Sequence, residues 1–149
     1  MFLSAFLGIL LAVTTHASTA DWPLKGLPDE AQLAWQTLRS VDVFAFGPVG
    51  FAGETSEGEL AMRILLRYPN AVSIFQLVAS QSTPEGRLYA LVALRSIDHD
   101  AYREALTKLT RNQKISLQAT CVRGKESVSA IIANLEAGKY DPFIPKPAK

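Results

Sequence analysis

Two segments of this chain carry the same residues at the same spacing. Thr55, Glu57, Gly58, Leu60, Leu66 and Arg67 recur 28 residues later as Thr83, Glu85, Gly86, Leu88, Leu94 and Arg95. A period of this length marks stacked supersecondary units, each too small to bury its apolar face alone. The repeat predicts a mainly α fold: two tandem helical hairpins, flanking helices, and a small two-stranded β element at most.

Each repeat reads as helix, turn, helix. Thr83 followed by Pro84 suits an N-cap and a first helical residue. By correspondence Thr55 caps the first copy, with Ser56 and Glu59 offering a competing capping box one residue later. Leu60, Ile64 and Leu65 are expected on the buried face of the first copy, and Leu88, Leu91 and Val92 on that of the second. Tyr68-Pro69 stops the first helix, because proline excludes the helical conformation just before it. Asn70 and Asp98 stand at matching places and are expected to start the second helix of each pair.

The flanks read as follows. Asp29 and Glu30 open a helix whose Ala31, Ala34, Trp35 and Leu38 recur at helical spacing. Val41 to Phe46 is β-branched and aromatic, which suggests a short strand. Ile115, Leu117, Ala119 and Cys121 alternate with polar neighbours and suggest its partner. A last helix runs from about Glu126, with Val128, Ile131, Ile132 and Leu135 inward and Gly138 as its C-terminal cap.

At the N-terminus, Phe2 to Val13 is an apolar run too short to span a bilayer but long enough for a signal-peptide core. Ser18 and Ala20 fit the small-x-small rule, so residues 1–20 are expected to be removed before Asp21 and the protein exported, periplasmic or extracellular. About 129 residues then remain, enough for one domain over 21–141 with its own core. A Pro- and Lys-rich tail, 142–149, is expected to be extended. The net charge is +1, which suggests neither a nucleic-acid surface nor a funnel for acidic substrates. The one cysteine, Cys121, cannot pair within its own chain. It is expected to be buried as a small hydrophobe; the alternative is an intermolecular bridge and a Cys121-linked dimer.

No motif points to a cofactor or a metal. Glu57 and Glu85 are the paired carboxylates a hydrolase would need, and neighbouring helices lie about 8–10 Å apart. Their place in the first turn of each helix has a simpler reading, as charges that offset the helix dipole. Gly58 and Gly86 cost helix stability, about 1 kcal/mol each, which a close contact at the helix start would explain. Asp98-His99-Asp100 holds the one histidine outside the first 20 residues, at a helix–helix turn where aspartate caps. The segment Phe46, Gly47, Gly50, Phe51 and Gly53 combines aromatics with flexible glycines. It has no Gly-Lys-Ser/Thr and no dinucleotide pattern, and is the candidate binding loop.

The paired helices resemble HEAT-type repeats. More specifically, Phe46-Gly47-x-Val49-Gly50-x-Ala52-Gly53, Thr55-Ser56-x-Gly58-Glu59, and Thr83-Pro84-x-Gly86-x-Leu88-Tyr89-Ala90-Leu91 resemble a group of small exported bacterial proteins of unknown function. The resemblance runs from Phe46 to Cys121. It implies export and a helical fold and carries no catalytic residue across.

The expected function is a non-enzymatic, exported protein-binding module of helical-repeat type whose partner is another protein. A small periplasmic inhibitor or immunity-type protein, or a hydrolase using the paired carboxylates, are the alternatives.

Overall fold

A computed structural model describes residues 23–145. The expected signal segment, its expected cleavage point and the last four residues of the tail lie outside the described residues. Ten elements follow in order: α1 (Asp29–Ser40), β1 (Phe44–Val49), β2 (Glu54–Thr55), α2 (Glu57–Leu65), α3 (Ala71–Gln81), α4 (Pro84–Ile97), α5 (His99–Thr107), β3 (Lys114–Thr120), β4 (Val122–Ser127) and α6 (Val128–Glu136). A 3-10 turn, Asp141–Phe143, comes after α6. The strands form one sheet in the order β2-β1-β3-β4. β1 and β3 run parallel, and both outer pairs are antiparallel. This is an α/β fold with a mixed sheet, which corrects the mainly α expectation of two tandem hairpins and a minimal β element.

Two strands lacked a readable signal. β2 is only two residues long. β4 reads Val-Arg-Gly-Lys-Glu-Ser, with one apolar residue and no alternation. It is an edge strand, exposed over its first four residues, so no buried face forces a period of two on it. The expected β1–β3 pairing is present, with Phe44 opposite Leu117 and Ala45 opposite Gln118. A parallel pair needs a long crossover, and α2 to α5 all lie within it.

The helices do not stack as two equal hairpins. α2 lies on α1 rather than on α3, α3 lies on α4, and α4 packs on α5. α4 also touches α1, α2, α6, β1 and β3. Its buried side chains run through Leu88, Tyr89, Ala90, Leu91, Val92, Ala93 and Leu94, which marks a central helix buried all round. The HEAT-type resemblance therefore fails at the first hairpin.

The repeat itself is out of register with the structure. α2 is capped by Ser56, whose side chain accepts a bond from the Glu59 amide. α4 is capped by Thr83, which accepts from the Gly86 amide. The caps are 27 residues apart, one fewer than the repeated identities, and one residue turns a helix by about 100°. The buried face of α2 is Gly58, Glu59, Ala61, Met62 and Leu65, and Leu60 is 53% exposed. Its counterpart in the sequence, Leu88, is buried. The two leucines share a letter and not an environment.

Elsewhere the periodicity holds. Ala31, Ala34, Trp35 and Leu38 are buried on α1, and Val128, Ile131, Ile132 and Leu135 on α6. Gly138 ends α6 at φ 76°, a left-handed conformation that favours glycine. Residues 142–145 begin the expected extended tail, yet the Phe143 ring packs on Phe46 and Ile144 lies against the core.

Candidate functional site

The glycine–aromatic segment divides into a structural half and an exposed half. Phe46 and Gly47 belong to β1. The Phe46 ring sits 5.1–5.9 Å from those of Tyr89, Tyr140 and Phe143. Gly47 has φ 78°, and a Cβ there would press on the Phe143 ring. Gly50 and Gly53, at φ 69° and 65°, form the turn between β1 and β2, and Phe51 stands on it fully exposed, at 103%.

β2 is too short to cover β1. It pairs only with Pro48 and Val49, which leaves the backbone of Ala45 and Gly47 open on that side. Side chains complete the edge. The Tyr89 hydroxyl accepts from the Ala45 amide and donates to the Ala45 carbonyl, both at 2.8 Å. The Ser56 hydroxyl donates to that carbonyl at 2.7 Å. The Glu59 carboxylate accepts from the Gly47 amide at 2.8 Å and pairs with Arg63 at 2.5 Å. Glu85 does the same for β3, accepting from the Ser116 amide at 2.9 Å. Buried backbone groups are seldom left without a partner, and here Ser56 and Glu59 at the start of α2 and Glu85 and Tyr89 in the first two turns of α4 supply them. Burial pushes the Tyr89 hydroxyl up to about 12, against the opposing effect of its bonds to Ser56 and Ala45.

Glu59, the most deeply buried carboxylate described, was not among the repeated residues. The competing capping box Ser56-x-x-Glu59 was its only trace in the sequence. Gly58 and Gly86 are explained as expected. A Cβ on Gly58 would fall within the Tyr89 ring, and one on Gly86 would strike the Leu38 carbonyl.

An open cleft of about 390 Å³ lies between the β1–β2 turn and the start of α2. Gly50, Ser56 and Gly58 line it, with the carboxylates of Asp42, Glu54 and Glu57 and the guanidinium of Arg123. Phe51 follows directly on Gly50. The β3–β4 turn stands beside it, since the Gly50 amide donates to the Thr120 carbonyl at 3.0 Å. That turn carries Cys121, exposed, and Val122, 69% exposed. The expectation of a buried Cys121 is thus corrected. The alternation ends at Ala119, which pairs with Val122, so Thr120 and Cys121 make a two-residue turn. Thr120 takes φ 52° there.

The structure does not unite the other candidates. Glu57 lines the cleft, while Glu85 is buried and bonded to Ser116. His99 is exposed beside Arg95 and Asp141 at a separate hollow, and Asp98 caps α5 through the amides of Asp100 and Ala101. Among the described residues no three His, Cys, Asp or Glu side chains are placed to hold a metal, and no helix is long and apolar enough to cross a membrane. No protein-family model, curated protein or solved structure matches the chain.

Proposed function

We propose that this is an exported, non-enzymatic protein that docks on another protein through the end of its sheet. The anchor is Phe51. One observation carries the reading: a phenylalanine with its whole side chain in water, held on a turn of two left-handed glycines. An exposed aromatic loses nothing from the core on docking and contributes a large apolar area to an interface. The neighbouring Val122 extends the apolar contact, and the charged groups of the cleft supply a polar rim. Cys121 beside it is the group through which two copies would be joined covalently.

The test is affinity capture from the periplasmic or extracellular fraction. Wild type, Phe51→Ala and Leu33→Ala are compared as bait, since Leu33 is also exposed, at 64%, but lies on α1. Phe51→Ala loses its partner and Leu33→Ala keeps it. Equal capture by Phe51→Ala, with the fold intact, removes the turn as the binding site.

A further inference from the structure

Apart from the Phe51 turn, the aromatic face of the sheet holds a cavity of about 170 Å³. Phe44, Phe46, Leu117, Tyr140 and Phe143 are among its lining residues. The rings pack on one another tilted or edge-on, with centroids 5.1–5.9 Å apart. A Cβ at Gly47 would stand 3.0–3.1 Å from the Phe143 ring, so the glycine lets that ring pack closely against β1. An engineered apolar cavity of about 150 Å³ takes up benzene, so this one matches a single aromatic ring.

The polar lining is sparse and one-sided. Gln118 is already committed, donating to the Thr120 carbonyl and accepting from Arg123. Asn134 and Tyr140 are the other polar residues of the lining. The single charged group on the lining is Lys139, which is exposed and forms no ion pair among the described residues. We infer that this cavity is a binding site for a small aromatic carboxylate, its ring among Phe46, Tyr140 and Phe143 and its carboxylate on the Lys139 ammonium. Aromatic walls favour a ring in offset or edge contact. An exposed ammonium with no carboxylate beside it on the lining selects a negative charge at one end of the ligand.

Phenylacetate is the probe, and benzyl alcohol its uncharged counterpart. Each is titrated into the full chain by calorimetry, with the ring-proton signals of Phe46 and Tyr140 followed by NMR. Phenylacetate binds with Kd of about 1 mM or tighter, as its size allows, and benzyl alcohol about fivefold more weakly, the scale of one exposed ion pair. Lys139→Met brings phenylacetate down to the benzyl alcohol level and leaves benzyl alcohol unchanged. Ala119→Trp fills the cavity from its exposed rim and abolishes both. Phe143→Ala, which opens the wall, weakens both. No phenylacetate binding at about 10 mM, or binding retained by Ala119→Trp at an unchanged melting temperature, overturns the site. Equal affinity for the two probes in wild type overturns the carboxylate.

Discussion

Glu59, Tyr89 and Ser56 do for β1 what a longer neighbouring strand would have done. Removing one partner of a buried hydrogen bond leaves the other without solvent or substitute, which costs about 1–3 kcal/mol. Glu59→Ala is expected to lower stability by about 2–3 kcal/mol in urea unfolding, and Tyr89→Phe by about 1–2 kcal/mol. Gly58→Ala drives a methyl into the Tyr89 ring. It should cost about 2 kcal/mol or more through overpacking, whereas Gly50→Ala has open space around it and costs about 1 kcal/mol in backbone strain. Tyr89 and Tyr140 are both held neutral by burial, up to about 12 from an ordinary 10.0. Their folded-state values exceed the unfolded one. Their contribution to stability is therefore complete below about pH 10 and lost as pH rises through about 12. Urea midpoints measured across that window should fall. A tyrosinate absorbance titration should show Tyr89 and Tyr140 among the groups ionising late, with one such group missing in Tyr89→Phe. At this scale the sequence was partly legible. The repeated glycines announced a close contact, and Thr83-Pro84 announced a cap. Glu59 was hidden because its partner, the Gly47 amide, belongs to a strand edge left open by the shortness of β2.

The β3–β4 hairpin shows how an element takes its form from its neighbours. Ile115 and Leu117 sit against the core and fix β3. β4 has no such anchor and is held by its ladder to β3, from Lys114–Ser127 to Ala119–Val122. The turn that joins them exposes Cys121. Ellman's reagent should therefore titrate one thiol per native chain at a rate close to that of the unfolded protein. A thiol resistant until unfolding would contradict this placement. Without reductant the wild type should give a dimer on a non-reducing gel that Cys121→Ser does not. Helices were easier to read than strands. α1 and α6 each bury apolar residues at helical spacing, so burial wrote its period into the sequence, while α4, buried all round, shows an unbroken apolar run instead. The face of α2 is legible only in part: Leu65 is buried and Ile64 packs against the core as expected, while Leu60 is exposed and Met62 takes the buried place. Thr83→Ala should cost about 1 kcal/mol in stability. Ser56→Ala should cost about as much, since each hydroxyl both caps its helix and donates to a backbone carbonyl, Thr83 to Val41 and Ser56 to Ala45.

For the molecule as a whole, the aromatic cluster ties β1, α4 and the C-terminal segment together through Phe44, Phe46, Tyr89, Tyr140 and Phe143. Phe143→Ala uncovers part of Phe46 and should lower stability by about 1–2 kcal/mol, the value of partial aromatic burial. The sequence alone determined which segments are helical, where most of them start and stop, and, outside α2, most of the apolar residues the helices bury. These are local properties, set by capping chemistry, proline and a period of 3.6. It also singled out the glycine–aromatic segment, though not its division into a buried strand and an exposed turn. Only the tertiary structure decided that α2 packs on α1, that β1 and β3 meet across a crossover of four helices, and that Phe51 points to water while Phe46 does not. Strand pairing and helix partnership join residues far apart in the chain. Their outcome depends on which surfaces compete for burial at once, and a repeated letter carries no record of that competition.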